Sequence, residues 1–532
     1  MDSRQVLPLI ITYTVACIIS LLFLTASRLI FHPLRNYPGP LLARLTDAYP
    51  GYFAIRKCLH LKTYYNFQKY GPVLRQAPNR LIFNTITALH DIYLNPKVTK
   101  GDSYRSSQLR AKYPSIINAI DRDQHRRKRK FIGQALTERS MRSFEPVMSS
   151  QIDIFLKILL RSSRKGNPIP VNVSKQCQYL GVDVIGMLAF GHQFKTQTED
   201  SFRFIPQVID AMSWRINTYM HFPLLSYLEN VLAILGKRQV IRFGDAVTSM
   251  IKARMAQDKD AHHDLYSIVA DYIGKGQQGL YRGELWPEAI LFIMAGGTTT
   301  ATTMSAMFFY LSRNPAVYST LATEIRSTFK SADEIHSGSQ LNSCKYLRAC
   351  IDETLRMSPP SLAILWRQQE ARDHGNDPFI VDGHIIPPGT QVGVSLYSLF
   401  HNEEYFPNSF TFMPERWLDS PVGGEDAVSG HETVSTTIRK AFVPFLIGDR
   451  ACAGKPMAYL EASLTLARVL WFFDFEVAPG QVESSGAGKP GRTDGRGRPD
   501  EFQLDDIFVA AHDGPTLIFN RRDDFWRTLE RD

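Results

Sequence analysis

Paired cysteines are missing from this chain. Its 532 residues hold six, Cys17, Cys58, Cys177, Cys344, Cys350 and Cys452, with no CxxC spacing anywhere. That excludes a small disulfide-stapled module, offers no structural zinc site, and predicts a reducing compartment for most of the chain. No internal repeat divides it. Charge of one sign is also scarce: 61 basic against 52 acidic residues leave a formal net charge of +9. A surplus of that size suits nucleic acid, an anionic membrane surface or an acidic protein alike, so composition does not choose among them. Length sets no limit, being enough for one large domain or several with an ample core.

Charge is wholly absent between Arg4 and Arg28, a run of 23 residues reading "QVLPLIITYTVACIISLLFLTAS". About 20 apolar residues span a bilayer core in a helix, so residues 1–28 are expected to form a membrane anchor. The rival is a cleavable signal peptide, whose apolar stretch runs to only about 7–15 residues and whose chain would more often pair its cysteines. Arg28, Arg35 and Arg44 follow the segment, whereas Arg4 is offset by Asp2. The larger positive flank places the main body on the cytosolic side. In the next segment, 29–46, the stretch "HPLRNYPGP" carries three prolines that remove donors and fix chain direction, as a stiff linker requires.

Residues 47–532 read as one further domain. Helical periodicity dominates from about Asp47 to Arg254, interrupted by a hairpin signal at 71–84. Strand and turn chemistry marks 377–402, helix returns after Cys452, and a last strand pair is expected around "DIFVAAHDGPTLIFNRR". Residues 479–500, rich in Gly and Pro, predict a disordered surface loop. A second uncharged run, Ala289–Leu311, also has 23 residues, but Gly296, Gly297 and five threonines are poor company for lipid. A buried central helix of a soluble domain fits it better.

Cys452 stands in "FLIGDRACAG", just before a helical run. A thiolate binds metal and is stabilised where backbone N–H groups and a helix N-terminus point at it. Gly448 and Gly454 would let the backbone turn tightly beside a flat ligand. Taken alone, such a cysteine is more simply a core residue at a helix start. Its neighbours change the balance, because Phe445, Gly448, Arg450, Cys452 and Gly454 form FxxGxRxCxG. Here the sequence resembles the cytochrome P-450 family of haem-thiolate monooxygenases.

The resemblance implies Cys452 as the iron ligand of haem b, Arg450 on a haem propionate and Phe445 packed near the sulfur. Glu353 and Arg356, in "CIDETLRMSPP", are spaced to share a helix face. An isolated surface pair of that kind is worth only about 0–1 kcal/mol. With Arg416 in "FMPERW", however, the pair resembles the family's buried structural Glu-Arg-Arg cluster. "AGGTTT", Ala295–Thr300, resembles the oxygen-binding stretch, with Thr299 as the proton-guiding threonine and Thr298 where an acid usually stands. In "DQHRRKRKF", His125 and Arg129 share a helix face and resemble residues that contact propionates, as does Arg367; the other cations are expected on the outer face. A solvated or nucleic-acid-binding run is the bland reading of that block.

The resemblance implies a mainly α fold with a small β region. The activity implied is O2 activation with electrons from NADPH through cytochrome P-450 reductase, with cytochrome b5 as a further donor. The resemblance also implies no nucleic-acid partner and an apolar organic molecule as substrate. Family position suggests substrate contacts from the 101–120 loop, Met294, Gly297, Ser361, Leu362, Ala363 and Phe508. "FHPLRNYPGP" and "HNEEYFPNSFTFMPERWL" are most similar to fungal microsomal members of secondary metabolism, which implies a single-pass protein of the endoplasmic reticulum. Two alternatives stay open: a haem-thiolate isomerase or dehydratase needing no oxygen, and a non-catalytic haem-binding membrane protein.

Overall fold

A computed structural model describes residues 3–108, 112–164, 166–229, 231, 237–275, 279–370, 378–418, 430–480 and 486–531. An N-terminal helix, α1 (Ser3–Ala26), precedes the non-helical proline segment. The body is built from α2 (Arg122–Ala135), α3 (Glu138–Ser162), α4 (Val173–Phe190), α5 (Ile205–His221), α6 (Leu285–Arg313), α7 (Lys345–Met357) and α8 (Lys455–Phe472), with shorter helices between. The predicted hairpin is present as β1 (Val73–Ala77) and β2 (Arg80–Phe83), paired antiparallel. With β3 (Val98–Lys100), β5 (Arg367–Gln369) and β8 (Gln391–Val394) they form one sheet in the order β1-β2-β8-β5-β3.

The small remaining sheets use β4 (Val171–Asn172), β9 (Phe473–Val477) and β10 (Thr516–Arg521), and the pair β6 (Phe379–Val381) and β7 (His384–Ile386). Two expectations change at their ends. Strand chemistry gives way at Leu396–Phe400 to a short helix, because the Ser395 side chain accepts the Ser398 N–H and caps it. The C-terminal stretch supplies one strand, and its partner β9 comes directly from the end of α8.

The central uncharged run becomes α6, and the Arg282–Arg313 stretch around it is 72% buried across its most apolar window. It is a core helix of the domain. Its unfavourable residues are each accommodated. Thr298, Thr302 and Ser305 donate their hydroxyls to the carbonyls of Met294, Thr298 and Ala301 one turn back, at 2.6, 2.9 and 2.7 Å, so no buried hydroxyl is stranded. The glycines permit a close helix crossing: a Cβ on Gly181 of α4 would fall 2.1 Å from the Gly297 carbonyl oxygen, and one on Gly296 would meet Ile185 at 2.6 Å.

The disordered loop expected at 479–500 is corrected over its described part, with 481–485 lying outside the described residues. Gly488 N–H donates to Arg498 O at 3.1 Å and Lys489 N–H to Arg496 O at 2.8 Å. Arg496 pairs with Asp505 at 2.9 Å, and the Arg498 guanidinium lies 3.7 Å from the Phe410 ring centroid. Two arginines thus fasten a segment that has few apolar side chains to bury, which composition alone does not reveal.

Candidate active site

The Cys452 loop is shaped by its backbone. Cys452 N–H donates to Phe445 O at 2.8 Å and Ala451 N–H to Gly448 O at 3.0 Å, closing a tight turn. Gly448 has φ +78°, and a Cβ there would lie 2.1 Å from Tyr93 O, so only glycine fits on both counts. Leu446 is also left-handed at φ +59°, an uncommon conformation for a residue with a side chain. Gly454 caps α8, and a Cβ there would be 3.8 Å from the Cys452 sulfur, an ordinary contact. Phe445 stacks at an angle on Tyr459, 5.2 Å between centroids.

Burial pushes the Cys452 thiol up from its ordinary range, while the N–H groups of Gly454 and Lys455 and the charge of Arg129 pull it down. The residue lies deep in the protein and is nonetheless solvent-accessible, so its sulfur faces an interior space. The same is true of one face of α6. Phe292, Ala295 and Thr299, one turn apart, keep accessible surface while most of that helix is buried.

A cationic cluster borders the thiol. Lys100, Arg450, Arg129 and Arg367 all act on His125, whose pKa burial and these charges depress to about 2. Arg450 donates to Ala119 O and to Thr99 Oγ1, each at 3.1 Å, and burial followed by Arg367 lowers it to about 10. Lys100 Nζ donates to Ile116 O at 2.6 Å, and Arg129 to Ala451 O at 2.6 Å, which ties α2 to the cysteine loop. The nearby carboxylates are engaged elsewhere: Glu370 lies 3.5 Å from Arg122 and Glu288 2.9 Å from Lys128. Among the described residues these four buried or half-buried cations have no carboxylate of their own, and they form a socket for anionic groups that the two propionates of a haem match in charge.

The sequence reading had missed Lys100 and Tyr104, which bonds to Arg367. The outer-face assignment of the other α2 cations is corrected in part. Lys128 is fully buried between Glu284 and Glu288, at 2.9 Å from each, and Arg127 pairs with Glu284 at 2.7 Å. Arg126 and Lys130 remain exposed.

Behind the cysteine loop, Glu353 and Arg356 are both 0% exposed and joined by two 2.8 Å bonds. Arg416 Nε donates to Glu353 Oε1 at 3.0 Å, as predicted, and Trp417 Nε1 adds a bond to Oε2 at 3.0 Å that the sequence reading lacked. Arg356 also donates to Phe400 O at 2.8 Å and Ser409 O at 2.7 Å. Burial alone would raise Glu353; the two arginines and the Met413 N–H outweigh it and hold the carboxylate low.

The expected substrate contacts divide. Ser361 and Phe508 come together, Ser361 Oγ donating to Phe508 O at 3.1 Å. Gly297 instead faces α4 at Gly181, and Met294 is buried in the main core, because each residue turns the helix by about 100° away from the Ala295–Thr299 face. Leu362 packs with Tyr310, Met357 and Phe412 in a separate cluster, and Ala363 is buried. In the 101–120 loop, residues 109–111 lie outside the described residues; Ile117 and Ile120 pack against the core.

An accessible buried thiol, a cationic socket beside it and an open helix face with a threonine define a haem-thiolate enzyme of mainly α architecture. The cytochrome P-450 family model matches residues 50–490, and the chain belongs to that family. It is 34% identical over 511 residues to the cytochrome P-450 monooxygenase poxM of Penicillium oxalicum, covering 93% of this chain and 91% of that protein. It is also 33% identical over 502 residues to AKT7 of Alternaria alternata (93% and 94% covered) and 32% over 511 to atnE of Emericella nidulans (93% of each), both likewise named cytochrome P-450 monooxygenases. The chain is therefore an oxidoreductase of the monooxygenase class, and its cofactor is haem held by a cysteine thiolate.

Proposed function

We propose that this chain is a membrane-anchored monooxygenase that inserts one atom of O2 into an apolar organic substrate, using NADPH electrons delivered by cytochrome P-450 reductase, with cytochrome b5 as a further donor. The observation that carries it is the accessible, deeply placed Cys452 sulfur beside the cationic socket of Lys100, Arg129, Arg367 and Arg450. When bound, the haem activates oxygen, and thiolate ligation favours O–O cleavage. Cys452 is the ligand. Arg450, Arg129, Arg367 and His125 hold the propionates, joined by Lys100. Ala295 leaves room on the open face of α6, and Phe508 with Ser361 closes part of the substrate wall.

Thr299 Oγ1 donates to Ala295 O at 2.5 Å, leaving its lone pairs available to accept a proton-bearing group. Its role is to position protons on that face. Thr299→Ala is expected to raise peroxide release per NADPH consumed; unchanged coupling would remove the role.

The proposed substrate is a secondary-metabolite intermediate, a reading that rests on the likeness of "FHPLRNYPGP" and "HNEEYFPNSFTFMPERWL" to fungal microsomal members of the family. Incubation of membranes with substrate extract, NADPH and isotopically labelled O2 should give a product carrying one labelled oxygen. The isomerase or dehydratase reading draws on Thr298, which is buried, bonded to Met294 O and no acid. Equal product without O2 or NADPH would establish that alternative.

A single span in the endoplasmic reticulum, with the domain cytosolic, is the proposed location. It is supported by the 24-residue α1, whose Tyr13, Ile19, Leu22 and Phe23 are exposed. Asn172 in the sequon Asn172-Val173-Ser174 should then carry no glycan, and a mobility shift on deglycosylation would reverse the topology.

A further inference from the structure

Three arginines from separate parts of the chain meet where the N-terminal helix joins the folded body. Arg28 follows α1, Arg44 lies in the short helix Leu41–Leu45 of the linker, and Arg75 stands in the middle of β1. The linker is pressed onto that strand: Arg75 N–H donates to Pro38 O at 2.7 Å, and a Cβ on Gly39 would fall 2.5 Å from Arg75 O. Backbone carbonyls hold the guanidinium groups in place. Arg75 Nη1 donates to Arg28 O and its Nε to Pro78 O, each at 3.0 Å, Arg44 Nη2 donates to Arg35 O at 2.6 Å, and Arg28 reaches Leu45 O. Donors are left over. Arg75 is 0% exposed, yet its Nη2 is buried without a partner, as is Arg44 Nε. Among the described residues no carboxylate pairs with any of the three, and Asp47 of the same stretch instead lies 4.0 Å from Arg80. Burial, then the charges of Arg44 and Arg28, lowers Arg75 to about 10.

We propose that Arg28, Arg44 and Arg75 form a binding site for the headgroup of an anionic phospholipid in the leaflet that faces the body. This rests on the membrane location proposed above. Like charges gathered without a counter-ion disfavour one another, and an anion seated among them reverses that cost. Guanidinium groups suit a phosphate because their planar donors match its oxygens in pairs. The source is a lipid because of what surrounds the charges. With α1 as the span, Arg28 stands at headgroup depth, where anionic lipids attract basic segments. Ile30, Phe31, Leu41 and Leu42 beside it are all exposed, which offers apolar surface to acyl chains that a free phosphate does not possess. A positive flank that merely fixed chain orientation would need charge next to α1 alone. Arg75 is 47 residues further on and reaches Arg28 from the sheet, so a bound headgroup would tie anchor, linker and body together.

The test places the full-length haem protein in nanodiscs holding phosphatidylcholine and phosphatidylserine in equal amounts, and reads by native mass spectrometry which lipid stays with the chain on release. The parent is expected to retain phosphatidylserine severalfold over phosphatidylcholine. Arg75→Gln should abolish that preference. Arg44→Gln, at a half-buried position, serves if the first variant fails to fold, and should cut the preference severalfold. Its reduced carbon-monoxide band should match the parent's, since Arg44 lies outside the site around Cys452. Equal retention of the two lipids by the parent, or an undiminished preference in Arg44→Gln, would overturn the lipid site alone. Loss of the parent's preference on adding inorganic phosphate would make the cluster a free-anion site and overturn the lipid assignment. Release of the full-length protein from membranes by alkaline carbonate would overturn the membrane location, and the lipid site with it.

Discussion

Cys452→His eliminates the reduced carbon-monoxide absorption typical of thiolate ligation. The substitution keeps a metal-binding side chain at the position, so loss of the band reports the ligand atom rather than loss of the cofactor alone. The sulfur is prepared for the charged state by the N–H groups of Gly454 and Lys455 at the start of α8 and by Arg129, which offset a burial that otherwise favours the neutral thiol. Imidazole carries no negative charge for these donors to stabilise. Product formation should fall to background, since the electron donation that assists O–O cleavage is gone. Survival of the thiolate-type band in this variant would disprove the ligand assignment.

Glu353→Ala has the second largest expected effect, and it falls on folding. The substitution leaves Arg356 and Arg416 without their carboxylate and strands the Met413 N–H and the Trp417 indole N–H that bond to it. Breaking a buried pair in this way costs about 3–5 kcal/mol. Against a typical total of about 5–15 kcal/mol, that removes much of the folded population. The yield of haem-loaded protein should collapse and the thermal midpoint should drop sharply; a midpoint within a few degrees of the parent would show that the cluster is dispensable.

Glu353 also makes the cluster sensitive to acid. Its folded-state pKa is held below the ordinary 4.5, so its contribution to stability is complete above that value and is lost as pH falls through the depressed folded value. Glu353→Gln should therefore flatten the acid limb of the stability curve while lowering stability at neutral pH. Unfolding midpoints measured from pH 7 downward for parent and variant would show whether the two curves converge.

What was legible beforehand was local. The cysteine loop, the Glu353–Arg356 helix and the α2 pair His125 and Arg129 each lie within a few residues, and backbone geometry at that range follows from residue type. The hairpin of β1 and β2 was legible for the same reason. Missed residues act across long separations: Lys100 meets Arg450 and His125 through a sheet edge, Trp417 reaches Glu353 from the far side of β8, and His512 meets α6 from the C-terminal segment. Nothing adjacent to them in the chain announces these partners. The cations Arg127 and Lys128 looked solvated for a similar reason, since Glu284 and Glu288 arrive from a different helix.

The order of motifs along the chain by itself determined the class of enzyme, because a thiolate ligand, its glycine-lined loop and the Glu353–Arg356 pair each demand particular residue types at short fixed spacings. Which face of α6 opens inward was decided only by tertiary structure. The Gly181 and Gly297 contact rotates the helix so that Thr299 is accessible and Gly297 is not. A stretch as uniformly uncharged as Ala289–Leu311 carries no amphipathic signal to orient it, so packing against α4 must do so.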